Sequence, residues 1–325
     1  MAHTNYAYAV ARIRANELQL FSNQLVEQLL ATKSYDECLR MLLDKGWGDE
    51  AAAGIPTAEE LLSGEREKTW ALIGELCEDM SPFDVFLYAN DYHNLKAAIK
   101  LVCTNTDDFG IFIKNGTVDC NRILNAIKDR DFYELPDPMR APAQEAYSAL
   151  SQTRDGQLCD IIIDRAALEA ILSAGSASDN SLIQKYAELT VASADIKIAA
   201  RCCRTGKSLE FLRRALAPCR TVNVTLLARA ASEGMEAIAD YLEGTDYAGA
   251  VSELQKSASA FECWCDNLMI QSIKPQQYEV FGIGPLAAYI LARENEIKTV
   301  RMILSGKLNS LPDAAIRERI REMYV

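Results

Sequence analysis

Histidine is scarce in this chain of 325 residues, which contains only His3 and His93. Ser-His and Cys-His catalysis needs a histidine beside the nucleophile, and zinc needs four well-spaced ligands. The ten cysteines do not supply these ligands, because Cys202-Cys203 and Cys263-Trp264-Cys265 are spaced more closely than the Cys-x-x-Cys pairs of zinc sites. The sequence therefore predicts no metal site.

Positive charge is also in short supply, with 34 Lys and Arg against 46 Asp and Glu and a formal net charge of −12. A nucleic-acid-binding protein would carry a basic stripe, and a protein that adheres to anionic lipid would carry a basic surface. The charge balance therefore argues against both partners. We expect the partners to be other proteins.

Long apolar runs are missing as well. The longest extends from Ile283 to Ala292, about half of the ~20 residues that a membrane-spanning helix needs. The chain begins without a signal-peptide pattern, so its cysteines are expected to be reduced, as in the cytosol. The sequence predicts no direct membrane span.

Phosphate-binding glycine loops are absent too. The segment from Arg201 to Ser208 ends in Gly-Lys-Ser, but Arg201 takes the place of the first glycine of that motif, and no strand is predicted before it. We interpret Gly206 as the end of a helix. The sequence therefore predicts no cofactor, no catalytic residue and no enzyme.

A short motif does recur three times, as an acidic or amide residue, a branched aliphatic residue and a lysine whose copies lie 101 residues apart. The copies are Asn94-Leu95-Lys96, Asp195-Ile196-Lys197 and Glu296-Ile297-Lys298. Each is followed by a residue pair that suits a helix end, since Asn and Gly readily adopt the left-handed conformation: Thr104-Asn105, Thr205-Gly206 and Ser305-Gly306. The repeat predicts three helical units, 1–106, 107–207 and 208–325.

Helical periodicity dominates the rest of the chain. We predict a long amphipathic helix over 4–32, a helix beginning at Ser81-Pro82 and a helix over 285–305. Ile111 to Ile113 could form one short strand. No alternation of strands and helices is visible, so the predicted class is all-α.

Three segments resemble one protein family. They extend from Tyr6 to Ala15, from Phe86 to Lys96, and from Gly282 to Lys307. Together they resemble the C subunits of the bacterial and archaeal V/A-type rotary ATPases, a family that includes the d subunit of the eukaryotic vacuolar ATPase. The resemblance covers essentially the whole chain, and residues 107–180 depart from it most.

The resemblance implies three pseudo-threefold-related helical domains that form a funnel. It also implies a non-catalytic central-stalk protein on the cytoplasmic face of the membrane, a socket between the central-shaft subunits and the proteolipid ring. Through this socket ATP hydrolysis or synthesis would be linked to H⁺ or Na⁺ translocation. The alternative is a free-standing cytosolic helical scaffold for soluble protein partners.

Candidate residues for partner contacts or for registry between units lie in the three segments: Tyr6, Tyr8, Arg12, Arg14, Asp91, Tyr92, His93, Asn94, Lys96, Glu294, Glu296, Lys298 and Arg301. Asn and Asp are poor helix formers, so the polar run over 90–96 suggests a binding surface, with a solvated face as the alternative. For the repeated lysines the alternative is an ion pair on the same helix, such as Lys298 with Glu294.

Overall fold

The computed structural model describes residues 6–48, 56–106 and 109–325. Within these ranges the regular structure is entirely helical, which confirms the all-α class. The α-helices, in chain order, are α1 Ala7–Glu17, α2 Asn23–Leu30, α3 Tyr35–Asp44, α4 Ala58–Leu76, α5 Tyr88–Thr104, α6 Cys120–Asp129, α7 Asp137–Thr153, α8 Gly156–Ala177, α9 Ser181–Arg204, α10 Leu209–Ala215, α11 Val224–Glu233, α12 Met235–Glu243, α13 Val251–Lys256, α14 Ala258–Ile273, α15 Gly284–Leu308 and α16 Asp313–Arg317. Short 3-10 helices occur at Ser81–Phe86, Phe109–Ile111, Phe132–Glu134, Ala248–Ala250 and Lys274–Tyr278.

Short polar side chains set where many of these helices begin. The first backbone N–H groups of a helix have no partner within it, and an Asp, Asn, Ser or Thr at the preceding position can accept from one of them. Thr57 does so with Glu60 in a reciprocal capping box at the start of α4. The other side-chain caps of α-helices are Ser22, Ser34, Asp119, Asp155, Asn180, Ser208, Asn223 and Ser257.

The chain divides into two compact units. The first joins Met1–Met80 to Ser252–Val325, so that both ends of the chain belong to it, and the second is Ser81–Val251. The predicted division into 1–106, 107–207 and 208–325 rests on the sequence repeat alone. It stays a prediction.

Helix α15 is the centre of the first unit. Seventeen of its 25 residues are buried, and it packs against α1, α3, α4 and α14. Its side chains Ile297, Val300 and Ile303 join Leu29 of α2 and Leu42 of α3 in one hydrophobic core. A helix that is apolar on most sides is one that other helices enclose.

Helix α8 has the corresponding place in the second unit, where it packs against α5, α7, α9 and α10. The α8–α9 contact is close because Gly175 of α8 faces Ala187 of α9, where a Cβ on the glycine would overlap the alanine Cβ. The main core of this unit includes Leu95, Ile99, Ile127 and Ile163.

The predicted helix over 4–32 is wrong. Residues 4 and 5 lie outside the described ranges, and the remainder forms α1 and α2 with a break between them. Ser22 causes the second start, because its hydroxyl accepts a hydrogen bond from the N–H of Leu25.

The predicted strand at Ile111 to Ile113 is also wrong, because a 3-10 helix ends at Ile111. The backbone of Ile113 does not pair with a strand but bonds to the side chain of Asn94 on α5. A side-chain amide can thus replace the ladder partner that this apolar segment would need.

Two of the three predicted helix ends are confirmed. Asn105 (φ 54°) ends α5, and Gly206 (φ 63°) follows α9, both in the left-handed conformation. Gly306 does not end its helix, because α15 continues to Leu308. A Cβ on Gly306 would lie 2.5 Å from Cγ1 of Ile316, so this glycine provides room for packing rather than for a turn.

Candidate functional site

The first position of the repeated motif is fully buried in all three copies, although its residues are polar. Each side chain, 0% exposed, accepts a hydrogen bond from the backbone N–H of a connecting segment distant in sequence. The pairs are Asn94 with Ile113 at 2.8 Å, Asp195 with Ala217 at 3.0 Å and Glu296 with Phe21 at 2.7 Å. We call Asn94, Asp195 and Glu296 the clamp residues.

Two of the connecting segments are held at a second point by a carboxylate one or two turns earlier on the same helix. Asp91 accepts from the N–H of Thr117 at 2.8 Å and from its hydroxyl at 2.6 Å. Glu188 accepts from the N–H of Thr221 at 2.6 Å and from its hydroxyl at 2.8 Å. In both copies the threonine lies four residues after the backbone held by the clamp residue.

Each clamped segment leads directly into a short helix. Thr117 and Thr221 stand two residues before the caps Asp119 and Asn223 of α6 and α11. In the first unit Phe21 stands one residue before Ser22, the cap of α2. The repeat therefore fixes the start of one short helix per copy relative to one long helix.

The sequence repeat marks all three clamp residues, but only Asn94 and Glu296 are among the predicted contact residues, and the segments that they hold were missed. A signal was present, because Thr117-Val118-Asp119 and Thr221-Val222-Asn223 share a Thr-Val-Asp/Asn pattern. It could have been read as a second repeat, since the final residue is a preferred helix cap.

Glu296 belongs to a buried ionic group in the first unit. Arg293, one turn earlier on α15, forms ion pairs with Glu296 and with Glu65 of α4. The guanidinium also lies over the ring of Trp47, with Cζ 5.4 Å from the centroid. Burial raises the pKa of Glu296, while the Arg293 charge and the N–H of Phe21 act in the opposite direction.

Two of the repeated lysines reach across to neighbouring helices. Nζ of Lys96 lies 2.5 Å from Asp164 of α8, and Nζ of Lys298 lies 2.6 Å from Asp266 of α14. The same-helix alternative is therefore wrong for Lys298. Glu294, its expected partner, makes two hydrogen bonds to Arg66 of α4, at 2.8 and 3.0 Å.

The polar run over 90–96 is not a solvated face. Asp91, Tyr92 and Asn94 are at most 3% exposed, and the hydroxyl of Tyr92 donates to the carbonyl of Pro138 at 3.3 Å. Only His93 among the four candidates from 91 to 94 is exposed, with Nε2 3.0 Å from the carbonyl oxygen of Ile111. Most of the run therefore binds the chain itself.

The N-terminal candidates occupy different surroundings. Tyr8 is 67% exposed, and its hydroxyl accepts a hydrogen bond from Arg12 at 3.0 Å. Arg14 instead pairs with Glu17 at 2.7 Å and donates to the carbonyl oxygens of Gln276 and Glu279 at 2.5 and 2.7 Å. It thus ties α1 to the segment before α15.

The remaining candidates are at the surface or at a helix start. Tyr6 is the half-buried residue before α1. Arg301 forms an ion pair with Glu59 at 3.0 Å, where both side chains are well exposed.

The segment that Arg14 anchors carries Tyr278, Val280 and Phe281 with 84%, 62% and 72% of their surfaces exposed.

In the described residues, no helix combines the length and apolar character needed to cross a membrane. The polar residues that the fold brings together hold the chain's own connections in place. The model of the family described as ATP synthase (C/AC39) subunit matches residues 9–319. The chain belongs to this family.

Curated relatives align with this chain over most of their length. The C subunit of the V-type sodium ATPase of Enterococcus hirae is 24% identical over 96% of this chain and 97% of its own. The C subunit of the V-type ATP synthase of Thermus thermophilus is 23% identical, and the alignment covers 97% of this chain and 98% of the relative. The C subunit of the A-type ATP synthase of Methanocaldococcus jannaschii is 23% identical, and the alignment covers 96% of this chain and 85% of the relative.

Proposed function

We propose that this chain is the non-catalytic central-stalk socket of a V/A-type rotary ATPase. In this proposal it sits at the cytoplasmic face of the membrane and joins the central-shaft subunits to the proteolipid ring. ATP hydrolysis or synthesis is then linked through it to H⁺ or Na⁺ translocation. The observation that carries the proposal is the family match over residues 9–319 together with relatives that align end to end.

The fold supports a mechanical role. A protein that transmits torque must resist movement of its connections, and the clamp residues fix three of them by buried hydrogen bonds. Buried hydrogen bonds gain strength from the low local dielectric, and breaking one leaves a costly unpaired group. We further propose that the three repeat copies form the funnel which the family resemblance implies.

Exposed candidates are the ones available for partner contacts. Tyr8, Arg12, His93, Lys298 and Arg301 keep part of their side chains at the surface. With a net charge of −12 the chain suits basic partner surfaces, because complementary charges speed association. The buried candidates Asp91, Tyr92, Asn94 and Glu296 would act indirectly, by fixing the segments beside these surfaces.

The test is co-purification from the native host. An affinity tag belongs at the N-terminus, because Met323 and Tyr324 near the other end are buried. Membranes are dissolved in mild detergent, and the proteins that bind with the tagged chain are identified by mass spectrometry beside an untagged strain. Recovery of the proteolipid and central-shaft subunits is expected. Recovery of soluble proteins alone would overturn the proposal and favour a free-standing cytosolic scaffold.

A further inference from the structure

Asp195 differs from the other two clamp residues in having a buried oxygen with no partner. Its Oδ1 accepts from the N–H of Ala217, but its Oδ2 has no hydrogen-bond partner among the described residues. The residue is 0% exposed. An ionised carboxylate in this position carries a buried charge that is only half satisfied, which is costly.

The first copy of the repeat shows the neutral form of the same contact. Oδ1 of Asn94 accepts from the N–H of Ile113, and its Nδ2 donates to the carbonyl oxygen of Ile113, both at 2.8 Å. The amide thus meets both backbone groups and carries no charge. In the third copy Glu296 has Arg293 as its counterion. Within the part of the chain that the structure describes, Asp195 has neither a neutral amide that bonds to both backbone groups nor an arginine in an ion pair with it.

The surroundings of Asp195 offer little compensation. Arg165 of α8 is the cation that acts on it, and Asp195 in turn adds to the effect of burial in raising the pKa of the Cys219 thiol in the connection from α10 to α11. Glu188, which holds Thr221 of the same connection, also acts on Cys219. Arg165 is itself paired with Glu169 at 2.8 Å. The hydrophobic cluster around Ala217 includes Leu168 and Val191. Burial accordingly raises the pKa of Asp195 to about 7, against the smaller opposing effects of the Ala217 N–H and Arg165.

We propose that Asp195 is a proton-linked clamp, which holds the connection over 216–223 tightly when the carboxyl is protonated and less tightly once the proton is lost. The protonated carboxyl keeps the hydrogen bond from Ala217 and removes the buried charge. Loss of the proton leaves the charge in an apolar cluster, and opening of the segment then exposes it to water. The inference concerns the isolated chain and does not depend on the proposed function.

The direction of the pH effect follows from the pKa of Asp195 in the closed and open states. The folded-state pKa of about 7 lies above the ordinary value of 3.8, so the closed state binds the proton more tightly than the open state does. The stabilisation of the closed state is therefore greatest in acid. It declines as pH rises through the interval between the two values.

Hydrogen exchange of the purified full-length chain tests this inference. Exchange of the peptide covering 216–223 is measured at about pH 5.5 and about pH 8, each corrected for the intrinsic rate, and should speed up roughly thirtyfold at the higher pH. The peptide covering 123–127 of α6, which has no titratable side chain, should stay unchanged as the internal reference. Asp195→Asn should abolish the pH effect at 216–223. Asp240→Asn, which removes one exposed charge from α12 in the same unit, should leave it intact.

The reciprocal variant Asn94→Asp provides a second readout in case Asp195→Asn does not fold. It places a second carboxylate, beside Asp91, on the segment over 113–119 and should make the exchange of this segment depend more strongly on pH than in the wild-type chain. A pH-independent wild-type peptide 216–223, or an equal pH effect in Asp195→Asn, would overturn the proton-linked clamp. Neither outcome bears on co-purification with ATPase subunits.

Discussion

Nζ of Lys298 and Nε of Arg321 share one carboxylate oxygen, Oδ2 of Asp266, at 2.6 and 2.9 Å. The Arg321 side chain is 1% exposed, whereas that of Lys298 is 42% exposed. Asp266 is therefore held chiefly by the buried arginine. Lys298 is the partner that can change without leaving Asp266 alone.

Reversing the charge in Lys298→Glu should weaken assembly with partner subunits while helical content stays the same. The Lys298–Asp266 pair contributes at most about 1 kcal/mol, because a lysine this exposed is well screened by water. Co-purification and far-UV circular dichroism check the two halves of this prediction, with Lys298→Met as the neutral control. Unaltered assembly in Lys298→Glu would dispose of an interface role for this residue.

Glu296→Ala should destabilise the first unit by about 3–5 kcal/mol, because Arg293 loses one of its two carboxylates inside the core. Glu296→Gln should cost less, since its amide oxygen still accepts from Phe21. All three tryptophans, Trp47, Trp70 and Trp264, lie in the first unit. Urea unfolding followed by tryptophan fluorescence therefore reports on this unit. Equal losses in both variants would contradict the role assigned to Phe21.

Thr117→Val and Thr221→Val should each cost about 1 kcal/mol, because each removes a hydroxyl that donates to a carboxylate of a long helix. The effect should be local, appearing as faster hydrogen exchange in 113–119 and 217–223 respectively, and larger for Thr221, whose hydroxyl also bonds to that of Tyr247 at 2.9 Å. Thr225→Val, at the exposed start of α11, is the control. A strong effect at one site with none at the other would show that the two segments are not equivalent.

Gly175→Ala should destabilise the second unit by about 1–3 kcal/mol, because the new Cβ would overlap the Cβ of Ala187 and force α8 and α9 apart. Gly156→Ala, at the start of the same helix, meets no atom within 4 Å and should be neutral or slightly stabilising. Thermal unfolding followed by circular dichroism compares the two. A neutral Gly175→Ala would mean that the helices can separate at little cost.

Local signals in the sequence predict structure correctly where the cause is local. Asn105 and Gly206 end helices because their own backbones adopt positive φ, and that preference belongs to the residue. The sequence does not reveal the capping role of Ser22, since the three residues that follow it also fit a continuing amphipathic helix. It does not reveal the role of Gly306 either, because the reason is Ile316, which lies on another helix.

The all-α class, the family resemblance and the three polar positions that repeat every 101 residues can be read from the sequence alone. The burial of Asn94, Asp195 and Glu296, and the backbone group that each one holds, become visible only in the folded chain. Helix periodicity and capping act over a few residues and so are written in the local sequence. A hydrogen bond from Phe21 to Glu296 joins residues 275 apart, and it exists only after the packing of α15 has brought the two ends of the chain together.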